Sequence, residues 1–159
     1  MFTTTGQDEL ISVPKNAQYS DHVVFEVKGT SAARFQIDAT NVSFKIQVGG
    51  LLVSRIINTA NTVIAKRMLE NLISANEFHT FWLSWHQGHI RIGRGEAVGA
   101  NQFLSAEVGS LDNVSLKLWT NQDIEWRLHY TGNALVMLLS NICKNCFRRL
   151  FKTNMILDK

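Results

Sequence analysis

Apolar residues recur at every second position in one short run after another along this chain. That period fits extended strands with one buried face and does not fit a helix. Arg34-Phe35-Gln36-Ile37-Asp38 and Ser43-Phe44-Lys45-Ile46-Gln47-Val48 alternate without a break. Val23 to Val27, Leu52 to Ile57 and Thr62 to Lys66 are further β-rich runs, set apart by Gly29-Thr30-Ser31, Gly49-Gly50 and Asn58-Thr59-Ala60-Asn61. Phe78 to Trp85 and His89 to Gly95 flank His86-Gln87-Gly88, the pattern of a hairpin with a glycine-bearing turn. Phe103 to Val108, Val114 to Trp119 and Ile124 to Leu128 complete the series. Spacing of this kind predicts an all-β fold, an antiparallel β-sandwich of jelly-roll-like form. Only Lys66–Ala75 departs from it: Ala65, Met68, Leu69 and Leu72 follow at three- and four-residue steps, a partly helical look.

A chain of 159 residues is one domain by size and long enough to bury a core. Residues 1–20 are polar, carry the only proline (Pro14) and read as a lead-in segment. Residues 21–131 hold the strands. Residues 132–159 change character: Ala134 to Leu139 is continuously apolar, and Ile142, Phe147, Leu150 and Phe151 continue at helical spacing against Lys144, Arg148 and Arg149. This predicts a short basic amphipathic C-terminal helix, too short to span a bilayer. It is suited to packing on the domain, docking on a protein partner, or weak membrane-surface contact through residues 134–152. Net charge is +3, and the excess belongs to this tail, so the strand region is close to neutral and no nucleic-acid partner is expected. The two cysteines form one Cys143-x-x-Cys146, which excludes a disulfide framework in residues 1–142 and supplies only half of a structural zinc site. The first residues lack a basic segment followed by an apolar one, so the expected location is cytoplasmic. Without that signal, the sequons at Asn41 and Asn113 carry little weight.

The hairpin block resembles a known family. Phe81-Trp82-Leu83-Ser84-Trp85, Gly88, Ile90, Gly93-Arg94-Gly95 and Val98-Gly99 together are similar to the farnesoic acid O-methyltransferase-like (FAMeT) domain, widespread in arthropods and other invertebrates. Upstream, Phe44-Lys45-Ile46, Gly49-Gly50 and Ser54-Arg55-Ile56 resemble its early segment; Val114 to Trp119 and Trp126 resemble its closing strands. The resemblance runs from about His22 to Leu128. It departs at Leu51 and Glu96, where the family pattern has tryptophan and glycine, and at Asn121-Gln122-Asp123, where it has a glycine-rich run. Its name implies methylation of a sesquiterpenoid acid with S-adenosylmethionine as cofactor.

The residues themselves point elsewhere. The common methyltransferase architecture needs a strand, a glycine-rich turn and a helix. Gly93-Arg94-Gly95 is followed by Glu96-Ala97-Val98-Gly99, which is not a helix opening, and in an all-β chain Gly-Arg-Gly marks a bulge or bend. His79, His86 and His89 bracket the hairpin without an acid or cysteine at ligand spacing, so no metal is expected. Ser54 and Ser84 lie within strands and form no nucleophile elbow. On the strand through the block, Phe81, Leu83 and Trp85 share one face and Trp82 takes the other. Trp82, Trp119 and Trp126 are therefore candidate ligand platforms, and Arg55, Arg91 and Arg94 candidate groove residues whose planar forks suit carboxylates and hydroxyls. The sequence thus predicts a non-catalytic recognition module for a carbohydrate, another small polar ligand or a protein partner, with no cofactor. The methyltransferase is the alternative, and an adaptor acting through the tail is a third reading.

Overall fold

The computed structural model describes residues 9–13, 21–49, 52–120, 123–129 and 137–139. The strands among them are β1 (Glu9–Ser12), β2 (His22–Gly29), β3 (Ala33–Ala39), β4 (Val42–Val48), β5 (Val53–Ile57), β6 (Val63–Met68), β7 (His79–Ser84), β8 (His89–Arg94), β9 (Gln102–Glu107), β10 (Ser115–Thr120), β11 (Ile124–Leu128) and β12 (Met137–Leu139). They form two six-stranded sheets, with the order β1-β10-β3-β4-β5-β6 in the first and β12-β11-β2-β7-β8-β9 in the second. Every pairing is antiparallel. The fold is the expected all-β sandwich.

Each alternating run delivers its apolar half inward. Phe35 and Ile37 on β3 and Ile46 and Val48 on β4 meet Phe25 and Val27 on β2 and Phe81 and Leu83 on β7, all essentially without solvent exposure. An aromatic cluster joins the layers: Phe35 of the first sheet lies 4.6 Å from Phe25 and 5.0 Å from Trp126 of the second, both edge to face. Phe25 in turn stacks on Phe81 at 5.6 Å. Burying a side chain of this size contributes roughly 1.5–3 kcal/mol, so this cluster is a principal clamp between the sheets.

The hairpin turn falls at His86-Gln87-Gly88, where the sequence places it. His89 N–H donates to the His86 carbonyl at 3.1 Å, and the two residues between, Gln87 and Gly88, have φ of 51° and 73°. Two consecutive positive φ values are those of a type I′ turn, whose twist matches the strands it joins.

Three segments differ from expectation. Lys66–Ala75 is not helical: Lys66 to Met68 complete β6, an edge strand, and the following bends turn Leu72 into the core, where it is 2% exposed. The helical spacing arose from a strand end followed by a core plug. Part of the polar lead-in is structural, since β1 pairs with β10 and Val13 is buried. Of the tail, Met137–Leu139 pair with β11 as a strand; the rest of the expected helix, Cys143, Cys146 and the basic face lie outside the described residues.

Candidate functional site

The outer face of the second sheet accounts for Trp82 and Arg91; Arg94, the register partner of core-facing Phe81, lies at the strand end on the other side. Trp82 points away from the main core, as strand parity requires, yet it is fully buried. Its indole lies across Gly93, its register partner on β8, so closely that a Cβ there would sit 2.4 Å from the ring. The turn that follows β8 closes over it, and Trp82 Nε1 donates to the Ala100 carbonyl at 2.8 Å. Trp82 is therefore an anchor for the 95–101 turn and offers no ring face to a ligand. Arg91 stands beside Ser84 and Ser105 in register. Arg94, exposed at the strand end, reaches the Asn71 carbonyl at 3.5 Å. Elsewhere on the outer face Arg127 pairs with Glu26 at 3.3 Å and Lys28 with Glu125 at 2.8 Å, with Arg127 lying 3.7 Å over the Phe78 ring.

Trp126 belongs to the core. It packs on Phe25 and Phe35, and its Nε1 is buried with no hydrogen-bond partner among the described residues. It too is withdrawn from any ligand.

The outer face of the first sheet brings Arg55 and Trp119 together, 64 positions apart in sequence. They line a shallow groove of about 330 Å³ with Arg34, Lys45 and Gln47. Gln47 is the register partner of both Arg34 and Arg55, so these three form a transverse row across β3, β4 and β5. Trp119 follows Leu118, the partner of Phe35, and reaches the same row from β10. The Arg55 guanidinium is fixed by its Nε, which donates to Gln47 Oε1 at 3.1 Å, while Gln47 Nε2 donates to the Gly49 carbonyl at 3.2 Å. Its terminal nitrogens make no hydrogen bond to a described residue, so the fork is oriented in advance and open to an incoming acceptor.

The groove holds three cations and no carboxylate among the described residues. The nearby acid, Asp38, is already matched: Lys117 Nζ lies 2.7 Å from Oδ2 and Gln36 Nε2 donates to Oδ1 at 2.8 Å. Burial by itself would raise the Asp38 carboxyl; hydrogen bonds from Lys117, Gln36 and Ser43 and the charge of Lys117 outweigh it and hold the carboxyl below the usual range. Arg34, Lys45 and Gln47 were not singled out from the sequence. The available signal was parity, since on their alternating strands these residues point opposite to Phe35, Ile46 and Val48.

The three histidines do not converge. His79 Nδ1 is 2.7 Å from the Leu72 carbonyl, His86 Nδ1 is 2.9 Å from Asp21 Oδ2, and His89 Nδ1 is 2.9 Å from the Gln87 carbonyl. No cluster of three metal-ligating side chains occurs among the described residues. Ser54 is spent internally, its Oγ accepting the Gly49 N–H at 3.0 Å, and Ser84 is buried.

Nor do Gly93-Arg94-Gly95 fit an S-adenosylmethionine cradle. Gly93 is covered by the Trp82 indole. The N–H groups of Arg94 and Gly95 donate to the carbonyls of Asn101 and Thr80, at 3.2 and 2.8 Å. A nucleotide loop of the common kind presents such amides to its ligand from the start of a helix, and here they close the sheet.

A family model described as farnesoic acid O-methyl transferase matches residues 7–131. No curated protein matches the chain. The matched span takes in β1, the hairpin and both faces described above.

Proposed function

The chain belongs to the farnesoic acid O-methyl transferase family, and we propose that it acts there as a non-catalytic recognition module, binding a small anionic ligand such as a carboxylate-bearing sugar on the outer face of its first sheet. The observation that carries this reading is the row of Arg34, Gln47 and Arg55 beside Lys45 and Trp119. A guanidinium fork held by Gln47 is matched to a carboxylate, with Lys45 adding a second positive charge. A half-exposed indole at the groove's edge suits the apolar face of a sugar ring. Rigid strands carry every one of these side chains, so little ordering cost accompanies binding.

Titration with glucuronate, followed through the amide signals of Gln47, Arg55 and Trp119, tests the proposal. Saturable shifts there, with affinity lowered about tenfold in Arg55→Ala, are the expected result. Equal binding by the variant, or no response in the groove, overturns it. The family description supports a second reading, an S-adenosylmethionine-dependent farnesoic acid O-methyltransferase, which requires a cofactor site other than Gly93-Arg94-Gly95.

A further inference from the structure

One end of the sandwich holds a larger cavity of different character, about 660 Å³, walled by the approach to β2, the β7–β8 turn and the β9–β10 connection. Asp21, His86, Ser110, Asp112 and Asn113 supply its polar lining, and Trp85 and Leu111 its apolar part. Neither lysine nor arginine lines it among the described residues. Its volume falls within the range of small-molecule sites, about 300–1,000 Å³.

Asp21, His86 and Asn113 are tied in place. The Asp21 carboxylate bridges two imidazoles, with His22 Nδ1 2.8 Å from Oδ1 and His86 Nδ1 2.9 Å from Oδ2. An ionised carboxylate only accepts, so His86 donates to it through Nδ1. The walls are stitched by backbone bonds: Trp85 N–H to the Asp21 carbonyl at 2.8 Å, Val108 N–H to Gly88 at 2.8 Å, and Thr40 N–H to Asp112 at 3.0 Å. Asn113 Nδ2 also donates to Thr40 Oγ1 at 3.3 Å. No hydrogen bond joins His86 to Ser110 among the described residues, although both line the cavity.

We infer that this cavity is a second binding site, independent of the basic groove, and that it takes an uncharged, hydroxyl-rich ligand, the end unit of a neutral glycan. Two carboxylate-bearing residues without a cation disfavour an anion here. Carboxylate, amide, hydroxyl and imidazole groups together offer the mixed donors and acceptors that adjacent hydroxyls need. Trp85 and Leu111 supply apolar wall for the carbon-bearing face of the ring. Loops held on a rigid sandwich are where recognition groups collect.

The test is titration of the whole chain with methyl β-D-galactopyranoside and methyl α-D-mannopyranoside, followed at the amides of Gly88, Ser110 and Asn113 and the Trp85 indole. Saturable shifts with at least one sugar are expected. Asp21→Asn, close to isosteric, and His86→Ala, at a half-exposed position, each weaken that binding roughly tenfold, while Arg55→Ala leaves it unchanged. No response to either sugar overturns the inference, as does binding that survives both cavity variants. Loss of binding in Arg55→Ala alone places the sugar in the groove and also overturns it. Glucuronate binding at the groove stands or falls separately.

Discussion

The indole of Trp82 rests directly on the backbone of Gly93, with no room between them for a Cβ. These two residues are register partners on β7 and β8, and their contact lets the 95–101 turn fold back onto the sheet and accept the indole N–H through Ala100. Gly93→Ala therefore forces the ring or the strand to move. Overpacking of this kind costs about 1–3 kcal/mol, and a fall in the thermal midpoint of roughly 3–10 °C is expected. An unchanged midpoint would mean that the turn yields freely and that Trp82 anchors nothing.

Two buried tryptophans respond differently to loss of the indole N–H. Trp82→Phe removes a hydrogen bond and leaves the Ala100 carbonyl without its donor; Trp126→Phe removes a donor that has no partner among the described residues. Both lose packing, so the difference isolates the polar term. Urea denaturation should show Trp82→Phe the more destabilising by about 1 kcal/mol. The reverse order would point to a partner for Trp126 Nε1 outside the described residues.

Asp38 links stability to acid. Its folded carboxyl titrates below the ordinary range, so its contribution is complete above the unfolded value near about 4 and disappears as pH falls through the folded value. Asp38→Asn lacks that contribution at every pH. Urea midpoints of the two proteins should differ at pH 6 and converge near pH 2. A gap that persists in acid would assign the effect to the shape of the side chain.

Lys45 is exposed and makes no ion pair with a described residue, so reversing its charge tests the groove without disturbing the core. Lys45→Glu should abolish measurable glucuronate binding while shifting stability by no more than about 0.5 kcal/mol. Retained binding would remove Lys45 from the site.

Calorimetric titration with S-adenosylmethionine should give no saturable heat with folded protein. Binding at micromolar affinity would make the methyltransferase the leading reading and would call for a site away from Gly93-Arg94-Gly95.

Strand positions were legible from the chain because an inward-facing residue at every second position leaves a local trace. Each of the runs from Val23 to Leu128 became a strand, and the opposed directions of Phe81 and Trp82 followed from parity alone. Burial on the outer face was not legible. Parity could place Trp82 outward, but the turn covering it is joined by a contact 18 residues away. The segment after β6 misled for a related reason: Leu72 is core, yet its spacing from Met68 imitates a helix, although Met68 is 72% exposed.

What this sequence determined by itself is the all-β class, the central hairpin and the family, because these depend on neighbours along the chain. The tertiary structure alone decided which candidates share a site. Arg55 and Trp119 line one groove because β10, β3, β4 and β5 are successive neighbours in one sheet, and nothing local encodes that order. Asp21 reaches His86 because the approach to β2 passes the β7–β8 turn at one end of the sandwich. Strand order is settled by how two layers bury the most apolar surface together, a global competition that leaves no periodic mark on the residues it brings into contact.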